Sequence, residues 1–156
     1  MKELASIPWS VVLVLLLNAS PTLAENNEAP VDFPEAGSVA YHIQFRLLRG
    51  DTSGALALGR RSVAEAVPDL ATLVAYLNAL TTRLSWDDRY TLLDDEIMET
   101  ADRILLGCEA SLLRDQYDAL AHHFCGSSNV SLSYLHAVRG RYLRAITTTT
   151  RAMTSH

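Results

Sequence analysis

A few short stretches of the chain carry side chains that could do chemistry or be read by another molecule. Arg46-Leu47-Leu48-Arg49 sets two guanidinium groups around a leucine pair. Arg49-Gly50-Asp51 overlaps it. In a flexible loop such a triplet can hand its carboxylate to a metal held by another protein while the Arg meets an acidic pocket. Asn129-Val130-Ser131 is an N-glycosylation sequon, so Asn129 is a candidate modification site in a secreted chain. His122, His123 and Cys125 are metal-ligating residue types. Adjacent histidines on a helix point about 100° apart, however, and seldom share an ion, so no metal site is expected. Asp94-Asp95-Glu96 reads as a solvated acidic face. There is no serine elbow, phosphate-cradling glycine loop or His-Glu-x-x-His pattern. No catalytic residue and no cofactor is expected, and the chain does not read as an enzyme.

The start of the chain bounds where these residues act. Lys2 precedes an apolar run from Val11 to Leu17, which Asn18, Ser20 and Pro21 end. Thr22-Leu23-Ala24 places small residues where a signal peptidase reads, so residues 1–24 are expected to be a cleaved secretion leader. The run is shorter than the about 20 residues a spanning helix needs. No later stretch is apolar enough to span, so no stable membrane insertion is expected. The remainder is one domain's worth of chain, long enough to bury a core unaided. The leader takes one Lys and one Glu with it, so the net charge stays at −5. An acidic chain does not suit phosphate-mediated nucleic-acid binding. Without a polybasic segment it does not suit peripheral membrane binding either. Lys2 is the only lysine, and twelve arginines carry the rest of the positive charge. GC-rich coding explains that bias. So does a protein that must offer no amine to ubiquitin, a modification of lysine.

The elements that must position these residues emerge from periodicity. Residues 25–60 are predicted as a flexible arm, because 25–37 are acidic and Pro-bearing and Gly50, Ser53, Gly54 and Gly59 punctuate its second half. Val39, Tyr41, Ile43, Phe45 and Leu47 alternate with period two, but no second strand exists to pair with them. That stretch is expected to be extended or loosely helical. From Ser62 a period of 3.6 sets in. Ser62 and Glu65 have capping-box spacing, and Pro68 suits a first turn. Leu70, Leu73, Val74, Leu77, Leu80 and Leu84 share one face. Ser85 is expected to cap a second helix with the stripe Trp86, Tyr90, Leu93, Ile97, Ala101, Ile104 and Leu105, stopped near Gly107. A third helix over 111–124 presents Leu113, Tyr117, Leu120 and Phe124 and ends at Gly126; residues 127–129 make a turn. A fourth buries Leu132, Leu135, Val138, Tyr142 and Ile146. The fold class is therefore all-α: a small antiparallel bundle of about four helices over 61–147, with a frayed tail at 148–156. With 111–124 as one helix, Cys108 and Cys125 lie on the order of 20 Å or more apart. A disulfide needs Cα atoms within about 7 Å, so free thiols are expected.

A leader, a polar spacer, Arg46-Leu47-Leu48-Arg49 and then a helical domain is a layout that resembles the RxLR effectors secreted by oomycete plant pathogens. The second match, Arg141-Tyr142-Leu143-Arg144, falls inside the predicted last helix and reads as helix surface and core. The family's acidic Glu-Glu-Arg element is absent, since residues 50–66 hold only Asp51 and Glu65 as acids. The resemblance implies that Arg46, Leu47, Leu48 and Arg49 form a translocation motif. It implies a chain delivered to the host cytoplasm, nucleus or both, where it binds a host protein and suppresses defence or cell death. It also implies a helical module with a core Trp and a core Tyr, for which Trp86 and Tyr117 stand in suitable places. The alternative reading is an extracellular helical ligand acting through Arg49-Gly50-Asp51.

Overall fold

The computed structural model describes residues 34–154 apart from Ala66, Arg89 and Tyr90. The expected leader and the first residues of the expected arm lie outside them, as does Tyr90. Among the described residues the fold is all-helical, with no strand. Six α-helices succeed one another: α1 (Val39–Leu48), α2 (Thr52–Glu65), α3 (Leu70–Trp86), α4 (Asp94–Leu112), α5 (Ala119–Val138) and α6 (Tyr142–Thr154). A 3₁₀ turn, Thr91–Leu93, leads into α4.

Local chemistry sets most of the starts. Ser38 Oγ accepts from the Tyr41 N–H ahead of α1, Asp69 Oδ1 from the Thr72 N–H ahead of α3, and Asp118 Oδ1 from the Ala121 N–H ahead of α5. Each side chain satisfies a donor that the first helical turn leaves without a partner. Asp94, Asp95 and Glu96 fill the first turn of α4, where the helix dipole favours negative charge.

The core is organised around α3, which packs against α1, α2, α4 and α5. Leu73, Val74, Leu77, Leu80 and Leu84 are buried, as the 3.6 pattern requires, and so are Ala75, Tyr76 and Ala79. Ile97, Ala101 and Ile104 of α4 and Leu132 and Leu135 of α5 face them. Between α2 and α3 the approach is closest at Gly59. Any Cβ there would collide with the Tyr76 ring, so only glycine leaves room for a buried tyrosine opposite. α6 rests on α5 through small residues: Ala145 and Ala152 are buried, and Ser133 Oγ donates to the Ala145 carbonyl at 2.9 Å.

Several expected boundaries are corrected. Residues 39–60 are not a flexible arm, because α1 and most of α2 occupy them. The alternation over 39–47 conceals a helical set, Ala40, Ile43 and Leu47, which turns inward. Ser62 lies near the end of α2 and donates to the Leu58 carbonyl, so it starts nothing. Asp69, after Pro68, supplies the cap. Ser85 donates back to the Thr82 carbonyl inside α3. Trp86, at the last position of α3, is 61% exposed and is not core. Gly107 stops no helix, and α4 runs on to Leu112. The predicted 111–124 helix is broken at 113–118, where Leu113 and Tyr117 stand exposed. Residues 126–129 are helical, within α5. The last predicted helix is split at Gly140, whose φ of 70° suits a residue without a side chain. Tyr142 and Ile146 then fall on a new helix with their side chains exposed. α6 continues through most of the expected tail.

Candidate functional site

The Arg-Leu-Leu-Arg segment forms the corner between α1 and α2. Arg46, Leu47 and Leu48 close α1, and Arg49 is its C-cap, donating its N–H to the Phe45 and Arg46 carbonyls. Gly50 donates to the Leu47 carbonyl, and the Asp51 N–H donates to the Arg46 carbonyl at 2.9 Å. Leu47 packs against the core, whereas Leu48 is 86% exposed. The Arg46 guanidinium donates to Asp51 Oδ2 at 2.7 Å. Both side chains are about half exposed, so solvent screens the pair and it adds little to stability.

A second arrangement at this corner is not visible in the tetrapeptide. Tyr41 and Phe45, one turn apart, stack with ring centroids 6.0 Å apart. The Arg49 guanidinium lies 5.2 Å from the Phe45 centroid, within cation–π range. The outer surface of α1 is thus a ladder of Tyr41, Phe45 and Arg49 at helical spacing. That spacing is present in the sequence, where the alternation of apolar residues masks it.

The same geometry bears on Arg49-Gly50-Asp51. Asp51 Oδ1 accepts from the Gly54 N–H at 2.9 Å and Oδ2 from Arg46. These hydrogen bonds, the Gly54 backbone first, hold its carboxyl below the usual carboxylate range. The carboxylate caps α2 and is not presented from a flexible loop.

The other candidates fall elsewhere. Asn129 lies within α5, buried, with Nδ2 donating to the Cys125 carbonyl at 3.0 Å. A glycan on that nitrogen requires the amide to leave the helix surface it packs on. Cys108 and Cys125 do not carry free thiols. They form a disulfide with Cα atoms 5.8 Å apart. The break at 113–118 lets α5 return alongside α4, which an unbroken helix would not allow. Cys125 is therefore not a metal ligand, and His122 Nε2 lies 2.8 Å from the Gln116 carbonyl. Among the described residues no cluster of three or more His, Cys, Asp or Glu is placed to hold a metal ion.

Two ionic clusters join elements far apart in sequence, so no local pattern announced them. Arg139 donates through Nε and Nη2 to the two oxygens of Asp94, each at 2.7 Å, and to the Asp88 carbonyl. This bolts the end of α5 to the start of α4. Arg60 makes a bidentate contact with Glu96 at 3.0 and 2.8 Å, and the Tyr76 hydroxyl donates to the same carboxylate. Asp94-Asp95-Glu96 is thus only partly the solvated face expected. The Arg60 hydrogen bond, with help from Tyr76, holds the Glu96 carboxyl below its ordinary range against the cost of burial. Its folded pKa lies under the unfolded value. The stabilisation is therefore complete above the unfolded value, about pH 4.5, and is lost as pH falls through the lowered folded value. Glu96→Gln is expected to lower Tm at neutral pH and to flatten the fall in Tm between about pH 5 and about pH 3. A variant whose acid limb has the parent's steepness refutes this assignment.

No helix among the described residues is long and apolar enough to cross a membrane. The chain matches none of the protein-family models, none of the curated proteins and none of the solved structures with which it was compared.

Proposed function

We propose that the chain is a secreted effector that enters host plant cells and suppresses defence or cell death by binding a host protein through its surface, without catalysis. One observation carries the reading. Arg46, Leu48 and Arg49 stand exposed together at the α1–α2 corner, downstream of a segment with the composition of a secretion leader. The Cys108–Cys125 disulfide supports passage through an oxidising secretory route. In the same reading α2 to α5 make an antiparallel bundle, since short connections join helices that touch. Host cytoplasm and nucleus are both destinations of this reading.

The test is Arg46→Ala, Leu48→Ala and Arg49→Ala combined, compared as a secreted protein and as one expressed directly inside leaf cells. The exposed positions predict a change in stability within about 1 kcal/mol. Activity scored by cell-death suppression should fall in the secreted format and persist in the direct one. Equal loss in both formats would make this corner part of the host-binding surface and end its reading as an address. Activity confined to the outside of the cell would favour the extracellular ligand. For the matching triple change at Arg141, Leu143 and Arg144, the sequence pattern alone implies damage to a buried helix. All three side chains are exposed on or beside α6, so it should leave Tm nearly unchanged.

A further inference from the structure

We propose that the outer face of α6 binds the outer face of α4 on a second copy of this chain, a contact that stands apart from the effector reading. The charge of the protein is divided along its length. All 18 acidic residues precede Ala119, and the residues after it hold Arg139, Arg141, Arg144 and Arg151 with no acid. Arg139 pairs with Asp94; Arg141, Arg144 and Arg151 lie on or beside α6.

Among the described residues α6 also leaves four large apolar side chains uncovered. Tyr142, Leu143, Ile146 and Met153 are all exposed, Leu143 by 83%. Thr147 and Thr150 donate their hydroxyls to the Leu143 and Ile146 carbonyls one turn back, which removes polarity from the same side. Arg144 and Arg151 edge this surface. They line a shallow groove of about 310 Å³ together with His136, Leu143, Thr147 and Thr148. An apolar strip beside a basic groove calls for a partner with leucines set among carboxylates.

α4 has that face. Asp95, Glu99, Asp102, Leu106, Glu109 and, just past its end, Leu113 recur at helical spacing and are all exposed, Leu106 by 70%. Their spacing fits. Asp102 and Glu109 are two turns apart, as are Arg144 and Arg151, so each pair spans about 10.5 Å along its axis. Leu106 lies between the two acids, level with Thr147 between the two arginines, and Leu143 stands just before Arg144. Among the described residues Asp94 of α4 pairs with Arg139 and Glu96 with Arg60. α5 packs against both α4 and α6. The contact uses two different surfaces, so copies close into a ring or continue as a chain.

The experiment is sedimentation equilibrium of the secreted protein, disulfide intact, at about 0.05 M and about 1 M salt. The weight-average mass should rise with concentration at low salt and return towards the monomer at high salt. R144E with R151E, and separately D102R with E109R, should each weaken association by about tenfold or more, and an equimolar mixture of the two should restore it. Leu106→Ser gives a charge-neutral variant with the same expected direction. Melting curves check that each variant keeps the parent fold. The proposal is overturned by a parent that stays monomeric up to about 1 mM, whether or not it binds anionic phosphatidylserine vesicles. It is equally overturned by association indifferent to both charge reversals, or by well-folded reversed variants that do not associate when mixed.

Discussion

Reducing the Cys108–Cys125 bond is expected to lower the stability of the helical domain by about 3 kcal/mol. The cysteines are 17 residues apart, and a loop of that length, left open in the unfolded chain, has about that much more conformational freedom. Both residues are buried in the core between α4 and α5. A double Cys→Ala change should therefore cost somewhat more than reduction, because it also removes two packed sulfur atoms. The measurement is urea unfolding with and without a thiol reductant. The core built on α3 remains after reduction, so the domain should stay folded with a lower midpoint. Complete unfolding on reduction, or a midpoint that does not move, would each contradict this. A chain that reaches a reducing cytosol would meet this cost there, so the result bears on how well the proposed effector survives its destination.

Leu77→Ala should be the most damaging single truncation, at about 2–5 kcal/mol. Leu77 is fully buried on α3, the helix that touches four of the other five. A cavity at that position borders several elements, and no one of them can move to fill it without leaving another. Trp86→Ala on the same helix removes a larger side chain but from a mostly exposed site, so it should cost under about 1 kcal/mol. Both midpoints can be read in one series of denaturant curves. If Trp86→Ala cost as much as Leu77→Ala, the end of α3 would have to be covered.

The periodicity of the long helices is legible in the sequence; where those helices break is not. Leu73, Leu77, Leu80 and Leu84, and Ile97, Ala101 and Ile104, announce their buried faces because each stripe is confined to one element. Leu113 and Tyr117 fit the continuing stripe equally well. Asp118, with its carboxylate three residues before the Ala121 N–H, is the signal of a fresh start. Missing that cap misplaces the cysteines, since the distance argument is sound only for an unbroken helix. Glycine misleads in the opposite sense. Gly54 and Gly59 suggest a linker, yet Gly59 is helical and accommodates Tyr76. That requirement comes from the partner helix and leaves no local trace. At the corner site the tetrapeptide itself is plain. Its helical setting, the Arg46–Asp51 pair and the Tyr41–Phe45–Arg49 ladder are hidden because alternating apolar residues fit either period.

The central position of α3 has a kinetic meaning as well. Most helix pairs in contact are neighbours along the chain: α1 with α2, α2 with α3, α3 with α4, α4 with α5 and α5 with α6. Local pairings close short loops, so a chain of this topology reaches its native packing quickly. α3 is the segment where the early and late halves of the chain meet, and its leucines are the natural members of a folding nucleus. Weakening them should slow folding, whereas weakening the α5–α6 contact should mainly hasten unfolding. Oxidation of Cys108 and Cys125, as the slowest remaining event, would then find them already brought side by side by helices that formed first.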